Sequence, residues 1–250
     1  MAALAIDLLD AATLSGLARL GITQGTDALA PSSSTVLSLD WPELERVLPD
    51  RGLPRGVVEL ASLSMTRAKN GAMRGGATTI ALSAMRAIHA ASGSAWCAWI
   101  TESNGSPLYS PAVAQAGVDL DRLLVVRPSP ADLARTVVKV AASGAFDLVI
   151  VDAPSGLDGK LSLREVGQAQ AQGRRAARVD GSVVVRKLAL AAEERGTTFI
   201  LLTNIYTPRA VPWPVALRVE VERRPEAIAV RVTKDRRGRS SSQHVVRVAC

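Results

Sequence analysis

The sequence predicts an α/β protein: a mostly parallel, twisted sheet flanked by helices, with an antiparallel extension toward the C-terminal end. Three observations predict it. From Val57 onward, short runs rich in Val, Ile and Leu alternate with helix-length segments, the order produced when parallel strands are joined by crossover helices. Segments 216–222 and 227–233 switch to apolar–polar alternation, as a hairpin with one wet face does. The chain of 250 residues is 48% hydrophobic, which suffices for one full core and excludes a disordered chain.

The elements follow in order. Over residues 3–20, Leu4, Leu8, Leu9, Leu14, Leu17 and Leu20 fall on one side of a helix, and Gly21 suits its stop. Residues 24–35 are rich in Ser, Thr, Pro and Gly and read as a linker. This divides the chain into a tethered helix over 1–35 and a core over 36–250. Core strands are expected at 57–60, 95–100, 123–126, 146–151 and 198–203, each a compact apolar run. Helical patterns occupy 78–91, 111–116, 130–142 and 179–195, and residues 245–248 can add a third antiparallel strand. Trp96 and Trp99 fall in a strand expected to be buried, whereas Trp213, between Pro212 and Pro214, is the aromatic expected at the surface.

Composition narrows the function classes. No apolar run approaches the roughly 20 residues that cross a bilayer, and residues 1–21 carry Asp7 and Asp10 without a basic start, so a membrane span and a secretion signal are not expected. Cys97 and Cys250 are far apart with no metal-type spacing, which fits a reducing compartment and gives no metal site. The expectation is a cytoplasmic protein. The formal net charge of +7 and pI near 10.1 suit phosphate backbones or acidic protein surfaces. Part of the excess is local, in Lys234, Arg236, Arg237 and Arg239.

The segment Gly71-Ala-Met-Arg-Gly-Gly76-Ala77-Thr78-Thr79 follows a strand and opens a helix. In a phosphate loop, glycines let backbone N–H groups converge on phosphate oxygens, a lysine neutralises the β- and γ-phosphates, and a hydroxyl holds Mg²⁺. Gly71 and Gly76 stand at that spacing and Thr78 at the hydroxyl position, but Ala77 stands where the lysine belongs. Loss of that cation should cost several kcal/mol of transition-state stabilisation, so efficient ATP hydrolysis and a bound ATP or Mg²⁺ cofactor are not expected. Lys69 or Arg74 could replace the lysine in an alternative, slowly turning enzyme. Asp152 ends an apolar strand where a Walker B aspartate would meet Mg²⁺. Glu102 is the candidate to polarise water, and Asn204 the candidate γ-phosphate sensor or turn cap. Singly, each acid is also consistent with a solvated carboxylate.

Together these residues resemble the RecA recombinase family from about Val36 to Val248. The resemblance rests on Gly52-Leu-Pro-Arg-Gly56-Val-Val-Glu59, on Cys97-Ala-Trp-Ile100, on Pro107-Leu-Tyr109 with Gly117-Val-Asp-Leu-Asp-Arg-Leu-Leu124, on 146–152, and on Phe199-Ile-Leu-Leu-Thr-Asn204. It implies a RecA-like core. The departures are Ala77, an insertion around 64–70, a much shortened DNA-binding loop between Asn204 and Pro214, and no C-terminal domain. With a basic end, this pattern is most similar to the ImuA family, the RecA-related members of bacterial inducible mutagenesis cassettes. That resemblance implies an accessory adaptor in DNA-damage-induced translesion synthesis, with the inactive polymerase ImuB and RecA as partners. It further implies that Leu8 and Leu9 dock on a neighbouring protomer, as the family's N-terminal helix does, and that Lys234 and Arg236 match basic residues reaching a neighbour's nucleotide. Single-stranded DNA bound through Lys234, Arg236, Arg237 and Arg239 is a further expectation, and Trp213 is the expected surface contact.

Overall fold

In a computed structural model, the residues described are 36–62, 76–154, 156–157, 180–207 and 213–248. A short antiparallel pair, β1 (Val36–Leu37) with β2 (Leu53–Pro54), flanks helix α1 (Pro42–Val47). The main sheet is built on β3 (Val57–Ser62), β4 (Cys97–Thr101), β5 (Leu123–Val126), β6 (Leu148–Asp152), β7 (Thr198–Asn204), β8 (Leu217–Arg224), β9 (Ala227–Asp235) and β10 (His244–Arg247). Their order is β10-β9-β8-β3-β7-β6-β4-β5. From β8 to β5 every pairing is parallel, and β8-β9-β10 are antiparallel. The α/β architecture with its antiparallel extension is the one the sequence predicts.

The inner parallel strands are covered on both faces: β4 and β6 are apolar and buried at nearly every residue, as a sheet packed on two sides requires. One face packs under α2 (Ala77–Ala91) through Ile80, Ala84, Met85 and Ile88 against Leu60, Trp99, Ile150 and Val219. The other packs under α4 (Leu133–Ser143) and α5 (Gly181–Arg195), which place Val137, Val185 and Leu188 against Ala98, Val149 and Phe199. A short helix α3 (Ser110–Gln115) adds Val113 to the first face. Gly144 and Gly196 close α4 and α5 with φ of 64° and 71°, a left-handed conformation that costs glycine least. In β8 alternate residues are buried, Leu217, Val219 and Val221, against Ile228, Val230 and Val232 of β9, and charged residues such as Arg218, Glu220 and Arg231 fall between them.

The two sheet edges are finished differently. On β10 the Arg247 carbonyl accepts from the Trp41 indole at 3.1 Å, and its N–H donates to Glu43 at 3.1 Å, so side chains at the start of α1 cover backbone groups that would otherwise be open to pairing. On β5, Leu124 and Val125 are exposed.

Two buried groups have consequences of their own. The His89 ring, on the last turn of α2, accepts from the Asp119 N–H at Nδ1 over 3.3 Å, while its Nε2 is buried without a partner. Burial first, then the Arg122 guanidinium, holds the imidazole below its usual value of 6.5, outweighing Asp119 and Asp147. As pH falls below 6.5 the unfolded chain therefore takes up a proton before the folded one. Stability present above that pH is lost on acidification. The urea midpoint is expected to fall between about pH 7 and pH 5, and less so in His89→Gln. Cys97, at 0% exposure, has its thiol pushed up to about 12 by burial and then by Asp147. Site-resolved alkylation at neutral pH is expected to spare Cys97 until the chain unfolds.

Among the described residues, no helix is long and apolar enough to cross a membrane, and no group of three or more His, Cys, Asp or Glu is placed to hold a metal ion.

Candidate nucleotide and partner site

Parallel pairing brings four chain segments to one edge of the sheet. Ser62 at the end of β3 pairs with Asn204 on β7, Leu202 pairs with Asp152 on β6, and Asp152 pairs with Thr101 on β4. The C-terminal edge of a parallel sheet is where open α/β folds place ligands. Asp152 is buried, and the Thr101 hydroxyl donates to its Oδ2 at 3.4 Å. Glu102 follows β4 and is half-buried. Its turn is pinned where Gly105 N–H donates to the Glu102 carbonyl at 3.0 Å and the Arg127 guanidinium donates to the Ser103 and Gly105 carbonyls at 2.8 and 2.9 Å. Asn204 makes a turn: its Oδ1 accepts from Tyr206 N–H at 2.9 Å, and its own N–H donates to the Thr207 hydroxyl at 3.3 Å. Of the two roles open to Asn204, turn capping is one it visibly performs.

Helix α2 starts at this edge. Gly76 precedes it, Ala77 is its first residue at 3% exposure, and Thr78 and Thr79 are half-buried in its first turn. That turn holds no acid and no side-chain cap, so its backbone N–H groups carry the positive end of the helix dipole without a covalent counter-charge. Gly71, Lys69 and Arg74 lie outside the described residues, as do Leu8 and Leu9. Gly76 has a second reason to be glycine. A Cβ there would lie 2.2 Å from Cγ2 of Ile228 on β9 and 3.3 Å from Val221 on β8. The helix start is thus pressed against the antiparallel extension.

The RecA N-terminal domain family matches residues 33–211, a span that contains β3, α2, β6 and β7 with all the edge residues just described. The chain belongs to the RecA N-terminal domain family. No curated protein matches it.

In this RecA-type core two expectations are corrected, both for tryptophans. Trp96 is 44% exposed instead of buried: β4 begins at Cys97, and Trp96 lies before the first register pair, with its N–H donating to the Asp147 carboxylate at 3.0 Å. Trp99 is buried as expected, at 2%. Trp213 is half-buried, not exposed, because its indole N–H donates to Glu59 at 3.0 Å. The C-terminal cluster does not stand together as free cations. The Lys234 ammonium donates to the Trp213 carbonyl. Arg237 pairs with Asp50 at 2.9 Å, while Arg239 reaches Asp50 at 2.9 Å, Asp235 at 2.6 Å and the Pro49 carbonyl at 3.0 Å. The Arg239 hydrogen bond holds the Asp235 carboxyl below the usual carboxylate range. Arg236 is exposed.

A buried polar hub was missed by the sequence reading. Glu59, in the middle of β3, has 0% exposure. It accepts from the Thr203 hydroxyl at 2.6 Å and from the Trp213 indole at 3.0 Å, and its carboxylate lies 3.5 Å from Arg218 Nε. Arg218 also pairs with Glu220 at 3.4 Å, and Glu220 with Arg231. The available signal was a carboxylate between Val58 and Leu60, inside an otherwise apolar strand: a buried charge is tolerated only with partners.

Proposed function

We infer that this RecA-type chain is an ImuA-like accessory adaptor in DNA-damage-induced translesion synthesis. In this reading it binds ImuB and RecA, modulates RecA filaments, and does not hydrolyse ATP efficiently. It works in the cytoplasm, on the nucleoid when engaged. The observation that carries the reading is Ala77. It occupies the first position of the helix that follows β3, on the sheet edge where β6 ends at Asp152 and β7 at Asn204, and offers a methyl group where phosphoryl transfer needs a cation. Selection for turnover would favour a lysine there; a protein selected for its surfaces can dispense with one.

Two experiments test it. Immobilised protein should retain RecA and ImuB from purified solutions and alter RecA filament length; retention of neither sinks the adaptor reading. Calorimetry with MgATP to millimolar concentration should show no binding heat, whereas turnover dependent on Lys69 or Arg74 would establish the alternative ATPase. Ala77→Lys sharpens the second test. Because Ala77 is buried among apolar neighbours, the variant should melt lower than the parent without nucleotide, since burying an ammonium stem there is costly. MgATP should recover part of that loss in the variant and none in the parent, as selective binding to the folded state requires. Single-stranded DNA is a further ligand in this reading. A gel-shift series across salt, in the parent and in Arg236→Ala, measures it.

A further inference from the structure

We propose that Glu59 is a buried clamp that ties both ends of the connection between β7 and β8 to the central strand β3, so that Thr203, Trp213 and Lys234 are held as one unit. Thr203 is the penultimate residue of β7 and Trp213 lies four residues before β8. Ten residues apart in the chain, they meet on the two oxygens of one carboxylate: Oε1 takes the hydroxyl at 2.6 Å and Oε2 the indole N–H at 3.0 Å. Arg218, the register partner of Glu59 on β8, supplies the counter-charge to Oε2. The carbonyl of Trp213 in turn accepts from the Lys234 ammonium and from the Val215 N–H. The carboxylate is fully enclosed, so solvent does not compete for its oxygens, and releasing either end removes a hydrogen bond from a buried charge.

The clamp has a consequence for what this edge shows to a partner. With it closed, the Trp213 indole and the Lys234 ammonium are engaged inside the molecule. Tyr206, 76% exposed and presented by the Asn204 turn, is then an aromatic that this connection leaves open. The clamp stands independently of the adaptor reading, since its test uses no partner and no nucleotide.

The test is a double-mutant cycle on the intact chain, with Thr203→Val and Trp213→Phe, neither of which alters Glu59. If one carboxylate joins the two ends, the effects are not multiplicative. The double variant's folding constant should depart from the product of the single effects by at least about threefold, because groups sharing a network couple whereas independent sites add. In protein labelled with 5-fluorotryptophan, Thr203→Val and Glu59→Gln should each shift the Trp213 ¹⁹F resonance, assigned by its loss in Trp213→Phe, and leave that of Trp41 in place. Multiplicative effects in the cycle, or a Trp213 resonance unmoved by Thr203→Val, would overturn the clamp. Should Glu59→Gln fail to fold, the cycle and the Thr203→Val resonance decide.

Discussion

Replacing Glu59 by alanine is expected to cost about 3–5 kcal/mol of folding stability, the range for removing one partner of a buried, hydrogen-bonded charge. Three effects combine. The Thr203 hydroxyl and Trp213 indole lose the acceptor they share, Arg218 loses the counter-charge of Glu59, and a cavity opens in the strand that touches both β7 and β8. Urea unfolding should show the midpoint falling with little change in slope. Glu59→Gln, which keeps an acceptor oxygen and the side-chain volume, should cost less than half as much. A loss under about 1 kcal/mol for the alanine variant would mean that the hub is a surface-like ion pair and that its enclosure contributes little.

The second large effect is expected at the start of α2, where Gly76→Ala should destabilise the chain by about 2–3 kcal/mol. The added carbon would sit 2.2 Å from Ile228 Cγ2, and a β-branched side chain in a sheet has few rotamers with which to retreat. Ile228→Ala, itself costly as a core truncation, should absorb the intruding methyl group. The double variant should therefore be more stable than the sum of the two losses predicts. The decisive feature is the ligand-free protein. If Gly76 serves only to let phosphate approach the backbone, the alanine variant will fold as well as the parent.

These two residues also mark the limit of what could be read in advance. The strands and helices of the core were legible because their signals are local: apolar runs sized for parallel strands, helical periodicity between them, and alternation in the last hairpin. The placing of Asp152 at a strand end and of Ala77 at a helix start was legible for the same reason, since both follow from contiguous stretches of chain. The exposure of Trp213 and the ion pairs of the basic cluster were not legible because their partners are distant in sequence. Trp213 meets Glu59 across 154 positions, and Arg239 meets Asp50 across 189. Trp96 was misread by one residue of strand boundary, which moved it beyond the pairing that would have buried it.

What the sequence determined by itself is the class of fold and the residue at one position in it: a RecA-type sheet in which the helix after the first core strand begins with Ala77. Both are properties of composition and order along a short stretch of chain. What only the tertiary structure decided is which polar groups remain for a partner. Sheet order places β8 beside β3 and β9 beyond it, which turns Gly76 into a contact with Ile228 and Glu59 into a hub, while the loop at Pro49 and Asp50 ties Arg237 and Arg239 to the core. Such pairings are fixed by the burial of distant segments together, where an unpaired charge is too costly to leave.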